Sequence, residues 1–328
     1  AAAAALLSLM DFSTIRIVLR TIGYGSLALL AIAGFLATWR LRIVAISVAV
    51  VGAAFWGLQD FAHSLGNGPA DTVLILGLAY LLFRFGHSQS AKGFATHCAA
   101  FGAVVTYMEF FMGQLPTAAA LLLPIGYMIH GEVGSGSEQR KDWHFASSGV
   151  LAFVLGAAMT IAVKQVLAYA LFGAPALASF FANLDTYTQN LATIGIQGSD
   201  NHLKSAIYAM GGMIWKWGKV LTYGSDLGAR LLFLCSALAW LGAAILAWRA
   251  RSAPRPGAFQ VCAAGAAIVA AWIAVLPSHS LGHGWFMIRM MVAPIALGWA
   301  ALIIEMRRLR LQATQHADLA TLKSAAVS

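Results

Sequence analysis

Charge is scarce in these 328 residues: Asp and Glu together number 12, and charged residues of all kinds make up 10%. A water-soluble domain carries about 25%, so a chain this poor in charge and 60% hydrophobic falls outside the ordinary soluble class. Cysteine is scarcer still. Cys98, Cys235 and Cys262 are the three present, and all fall inside apolar runs with no CxxC or other ligand spacing. That placement argues against a disulfide framework or a cysteine-built metal centre, and for buried thiols packed as small hydrophobes. Also missing is any soluble-length stretch between the apolar runs, so residues 1–328 read as one polytopic unit. The 21 Lys and Arg outnumber the acids. They do not point to nucleic acid, because they sit in short clusters between apolar runs.

What is there is a series of apolar runs, near 17–38, 43–59, 69–85, 95–113, 115–130, 147–172, 227–248, 258–277 and 284–304. About 20 such residues cross the hydrocarbon core of a bilayer. The expected fold is therefore an all-α integral membrane bundle of about nine spans. Between runs lie Arg40/Arg42, Arg84/Lys92, Arg140/Lys141, Arg249/Arg251/Arg255 and Arg307/Arg308/Arg310, each cluster in an alternate loop. The positive-inside rule puts all five in the cytoplasm. The N-terminus is then outside and the 307–328 tail inside, which an odd number of spans satisfies. Of the opposite loops only the 173–226 segment is long. Within it Leu203–Leu221 reads as an amphipathic helix carrying Ile207, Met210, Ile214 and Trp217 at helical spacing. Such a helix either lies in the interface plane or packs on its own bundle.

Three constellations on the non-cytoplasmic side could carry chemistry. Ser278-His279-Ser280-Leu281-Gly282-His283 leads into the last span, where Arg289 lies about one and a half turns inside. His279 and His283 are four apart and share a helical face. Two ligands without a carboxylate are too few for a metal site, and hydrogen bonding to a phosphate or a neighbouring helix suits them better. An arginine at that depth needs a partner, an aqueous cavity or an anionic ligand, and Glu109 is the acid considered. The second constellation, Tyr107-Met108-Glu109, precedes a tight turn closed by Gln114-Leu115-Pro116. Glu109 there is either a functional carboxylate or the partner of Lys164 or Arg289. Lys164 is the third, eight residues from the end of its run, where it faces a cavity or an acid. Asp60 and His63, in a solvated outer loop, need no such explanation.

Taken in order, these segments resemble a group of bacterial membrane proteins of the GT-C glycosyltransferase architecture. Uncharacterised members carry a Tyr-x-Asp-Phe-Leu-Thr-x-Pro-like turn, a long span with an internal Lys, and a late Asn-His-Ser-x-x-His-x-x-Phe-x-x-Arg-like stretch. Here the turn reads Tyr107-Met108-Glu109-Phe110-Phe111-Met112-Gly113-Gln114-Leu115-Pro116, the lysine is Lys164, and the late stretch runs from Ser278 to Arg289. Glu109 stands where the group's turn has Asp. The acidic loop that GT-C proteins carry after their first span has no counterpart here, so the chain is expected to be N-terminally incomplete.

The resemblance implies sugar transfer from a polyprenyl-phosphate-linked donor on the outer face of a bacterial inner membrane. Glu109 would be the catalytic base or hold a divalent metal ion. Lys164, His279, His283 and Arg289, with Tyr107 and Gln114, would bind the lipid phosphate and substrate, and a groove between the 203–221 helix and the start of the last span is expected to be lined by His283, Arg289 and Lys164. Membrane lipids and other membrane subunits are the further expected partners. A second reading is a GT-C-like scaffold without catalysis, an accessory subunit of a larger membrane complex. A transporter ranks third, because no inverted repeat or matched pair of Gly/Pro-broken spans is found.

Overall fold

The computed structural model describes residues 11–56, 67–86, 93–108, 113–133, 139–189, 201–221, 226–250, 258–282 and 288–325. Among them every regular element is helical. The chain runs through α1 (Phe12–Leu36), α2 (Trp39–Phe55), α3 (Asn67–Phe85), α4 (Phe94–Met108), α5 (Gln114–Val133) and α6 (Gln139–Phe172). Then come α7 (Ala174–Thr188), α8 (His202–Leu221), α9 (Asp226–Arg249), α10 (Ala258–Val275), the short α11 (Pro277–Gly282), a 3₁₀ turn (Ile288–Met291) and α12 (Val292–Ala325). Each of the nine apolar runs lies on one of these helices. The boundaries move: α2 begins at Trp39 rather than at position 43, α6 begins at Gln139 rather than at 147, and α12 runs on to Ala325 rather than ending at 304.

Five of the described helical stretches are long and apolar enough to cross a membrane: Ser13–Leu36, Gly68–Phe85, Lys141–Phe172, Ala258–Val275 and Arg289–Thr314. Phe94–Met108 and Phe233–Arg249 are shorter apolar helices. The chain is accordingly a helical membrane protein. Helices dominate because lipid offers the backbone no partner, and a helix satisfies its own amides and carbonyls.

The centre of the bundle is α5, whose residues from Ala118 to Ile129 are almost all buried. It packs on α6 and α10, while α12 is enclosed by α2, α9 and α10. By contrast α6 turns Leu151, Val154, Leu155, Met159, Val163, Val166 and Leu167 outward. A continuous apolar face of this kind is what acyl chains cover. Cys98 and Cys262 are buried, as expected, but Cys235 is exposed on α9.

Small residues let the helices approach backbone to backbone. A Cβ on Gly102 of α4 would lie 2.0 Å from the Phe153 carbonyl oxygen of α6, and one on Gly156 of α6 would lie 2.0 Å from that of Ala99. Pro124 sits inside α5 and has no N–H for the Ala120 carbonyl four residues back. Gly265 of α10 covers that oxygen, where a Cβ would come within 2.4 Å. A proline in one helix is thus matched by a glycine in its neighbour.

Polar residues cap the helices. The Ser13 hydroxyl, the Thr14 hydroxyl and the Thr14 N–H donate to the Asp11 carboxylate at the start of α1. These bonds, that of Ser13 above all, hold its carboxyl well below the usual carboxylate range. Asp11, the acid preceding the first span, is therefore occupied as a cap. His130 in the last turn of α5 meets Asp142 in the first turn of α6, Nδ1 to Oδ1 at 2.6 Å. The Asp142 carboxylate lies at the helix end whose dipole favours an acid.

A buried charge cluster at one end of the bundle

Near the start of α3 the chain places Asp71, 1% exposed, on the inner face of the helix. Arg289, in the 3₁₀ turn before α12, is 8% exposed and donates from Nη1 to Asp71 Oδ2 at 2.5 Å. Gln114, 3% exposed, donates from Nε2 to the other oxygen, Asp71 Oδ1, at 3.0 Å. Gln114 is positioned by the turn at Gly113, whose φ of 86° is one that glycine adopts without strain. The Thr117 hydroxyl bonds back to the Gly113 carbonyl at 2.6 Å and fixes the first turn of α5. Both carboxylate oxygens are therefore held, one by a charge and one by an amide. Gln114 Oε1 is buried with no hydrogen-bond partner among the described residues.

The partner of Arg289 is thus Asp71, where the sequence had suggested Glu109. Asp71 falls at the mouth of an apolar run, and a loop acid and a helix acid look alike there. The signal that could have found it is symmetry: a lone acid and a lone arginine stand at the same end of two apolar runs. Glu109 and His283 lie outside the described residues, as do Asp60 and His63.

Lys164 is held elsewhere. Its Nζ donates to the Thr106 and Tyr107 carbonyls at 2.8 Å each, at the C-terminal end of α4. It also stands 5.4 Å from the centre of the Tyr107 ring, and that tyrosine is 70% exposed. Terminal carbonyls carry the negative end of the helix dipole, so an ammonium there is well placed. Lys164 thereby joins α6 to α4 at the level where the helix ends.

His279, on α11, is buried, and its ring centre lies 4.2 Å from that of Tyr187 on α7. Beside it the Ser278 hydroxyl donates to the Gln189 carbonyl at 2.5 Å. The α11 turn therefore closes onto the end of α7 and onto α8. The amphipathic helix α8 packs on α9, α10 and α11 through Ala206, Ala209 and Met213, while Ile207 is exposed. Its buried face is rotated from the stripe anticipated, and Met210 and Ile214 lie at its edge. A cavity of about 130 Å³ does lie between α8, α10 and the start of α12. Its walls are apolar, with Met210, Ile214, Val269, Ile273, Met291 and Pro294 among them.

Among the described residues no three His, Cys, Asp or Glu side chains gather as metal ligands would. Compared with known protein families, curated proteins and solved structures, the chain matches none.

Proposed function

We propose that this chain is a non-catalytic helical scaffold, an accessory subunit of a larger membrane assembly. The observation that carries the reading is the closure of the Asp71–Arg289–Gln114 cluster. A guanidinium meant to grip a lipid phosphate needs donors facing an open groove. Here its charge is matched by a buried carboxylate, and the apolar cavity beside α8 offers no charge to a headgroup. Spending a costly intramembrane charge pair on joining α3, α5 and the start of α12 suits a part that must keep its shape. In this reading all nine apolar helices span a bacterial inner membrane, with the N-terminus outside and the C-terminal tail in the cytoplasm. The test is cross-linking in native membranes followed by purification in mild detergent. A stoichiometric membrane partner supports the scaffold; a chain that purifies alone after efficient cross-linking argues against it.

A second reading, a GT-C-type glycosyltransferase using a polyprenyl-phosphate-linked sugar, has one specific observation in its favour. Lys164 and the exposed Tyr107 stand together at the end of α4, two residues before Glu109 in sequence. An ammonium and a carboxylate at an outer helix end could hold a lipid phosphate and act as base. Transfer of sugar from such a donor, lost on Glu109→Gln, would establish this reading over the first.

A further inference from the structure

At the opposite end of the bundle from Asp71, α2 opens with Trp39-Arg40-Leu41-Arg42. A helix N-terminus carries about half a positive charge and favours acids in its first turn. This first turn has no acid and two arginines. The N-cap residue Thr38 makes no side-chain cap bond, and its hydroxyl oxygen is buried without a hydrogen-bond partner among the described residues.

More positive charge is brought in by α12, which packs along α2. Arg307 lies over the Trp39 ring, its Cζ 4.7 Å from the ring centre, and Arg40 stands 5.3 Å from it. Arg310, one turn on from Arg307, shares its helical face. The acid on this stretch of α12 is Glu305, and it is engaged in the opposite direction. It is fully buried, accepts the Phe259 N–H at the start of α10 at 3.2 Å, and accepts from Arg308 at 3.4 Å. Arg42, Arg307 and Arg310 are exposed, and among the described residues no carboxylate lies within ion-pairing distance of them.

Several like charges, a helix N-terminus and an uncapped hydroxyl converge where α1 has just ended and α2 begins. Trp39 marks the level of the bilayer interface, where indole rings settle. Arginine forks match phosphate oxygens in pairs, and basic pockets between spanning helices take anionic headgroups. We propose that the basic surface formed by the start of α2 and Arg307–Arg310 of α12 is a binding site for the headgroup of an anionic phospholipid. The phosphate would meet Arg42, Arg307 and Arg310 beside the first amides of α2, with the acyl chains running along the apolar helices. This inference requires only that the chain spans a membrane; it does not depend on the scaffold reading.

The test uses the purified full chain in neutral detergent, with native mass spectrometry and thermal unfolding as readouts. Phosphatidylglycerol, phosphatidylcholine and inorganic phosphate are each added as probes. The parent should retain phosphatidylglycerol in preference to phosphatidylcholine and be stabilised by it, and inorganic phosphate should not displace the lipid. Arg42→Gln with Arg307→Gln should weaken phosphatidylglycerol binding about twentyfold, and Arg310→Gln alone about fivefold. Lys141→Gln, at the start of α6, should leave binding unchanged. If the double variant fails to fold, the exposed Arg310 position still decides. The site is overturned if folded variants hold phosphatidylglycerol as the parent does, or if Lys141→Gln costs as much as Arg310→Gln. Equal retention of phosphatidylcholine, or displacement of the lipid by inorganic phosphate, overturns it as well.

Discussion

Asp71 and Arg289 stand 218 positions apart in the sequence and meet oxygen to nitrogen in the interior of the bundle. Each would be prohibitively costly alone at that depth, and the pair is tolerable because Gln114 satisfies the carboxylate oxygen that Arg289 leaves. Three segments that share no local sequence are thus pinned at one level. Arg289→Gln should destabilise the protein by about 3–5 kcal/mol, because it leaves an uncompensated buried carboxylate. Asp71→Leu should do the same to the arginine. Combining Asp71→Leu with Arg289→Met should cost far less than the sum of the two, as read by thermal unfolding in detergent. Additive losses would mean that the two charges are not each other's partner.

The glycine contacts predict effects of opposite sign for similar changes. Gly102→Val and Gly156→Val each push a Cβ into a backbone carbonyl of the facing helix, so α4 and α6 must separate. Overpacking of this kind costs about 1–3 kcal/mol. Gly211, on α8, has nothing within 4 Å of where a Cβ would stand. Gly211→Ala should therefore raise stability by about 0.4–1 kcal/mol through helix propensity and a less flexible unfolded chain. Melting temperatures moving in the same direction for all three would sink the account.

The helices could be read from sequence because a spanning segment announces itself locally: some twenty apolar residues suffice, whatever packs on them. Side-chain partners could not, because they depend on which helix ends meet. Arg289 was recognisable as a charge needing a partner, yet nothing in its neighbourhood names Asp71. Glu305, fully buried, sits beside a run of arginines, and nothing in its local sequence marks it as buried; its burial follows from α10 starting against it. The rotation of α8 has a similar origin. Small residues, Ala206 and Ala209, face the bundle because close approach matters more there than bulk, while Ile207 is left exposed.

Lys164 offers a prediction on a smaller scale. It ties α6 to the last carbonyls of α4 through two bonds, in a favourable, partly buried position at a helix C-terminus. Lys164→Met keeps the length and apolar stem and removes only the charge and its donors. The loss should be about 1–2 kcal/mol, well below that of Arg289→Gln, and limited proteolysis should cut first near the end of α4. Lys164→Arg should restore most of the stability. A loss as large as that of Arg289→Gln would mean that Lys164 holds a deeper buried anion.

The final prediction concerns sidedness, and the contacts within the bundle bear on it. Asp71, Gln114, Arg289, Lys164 and His279 come from runs whose alternation puts them on the non-cytoplasmic side. In space Gln114 and Arg289 both donate to Asp71, and Lys164 and His279 each bond or stack to segments assigned to that same side. His130 with Asp142, Glu305 with the start of α10, and Trp39 with Arg307 come from the ends assigned to the cytoplasm, and each of these contacts lies within that set. Which end faces the cytoplasm is an expectation drawn from the basic clusters. In a background carrying Cys235→Ser, to remove the exposed native thiol, Ala313→Cys should be shielded from an impermeant thiol reagent in intact cells. Thr186→Cys should be labelled. Both positions are exposed in the folded chain, so shielding reports the membrane rather than packing. Labelling of Ala313→Cys with shielding of Thr186→Cys would invert the orientation, and labelling of both from outside would break the odd count of spans on which the assignment rests.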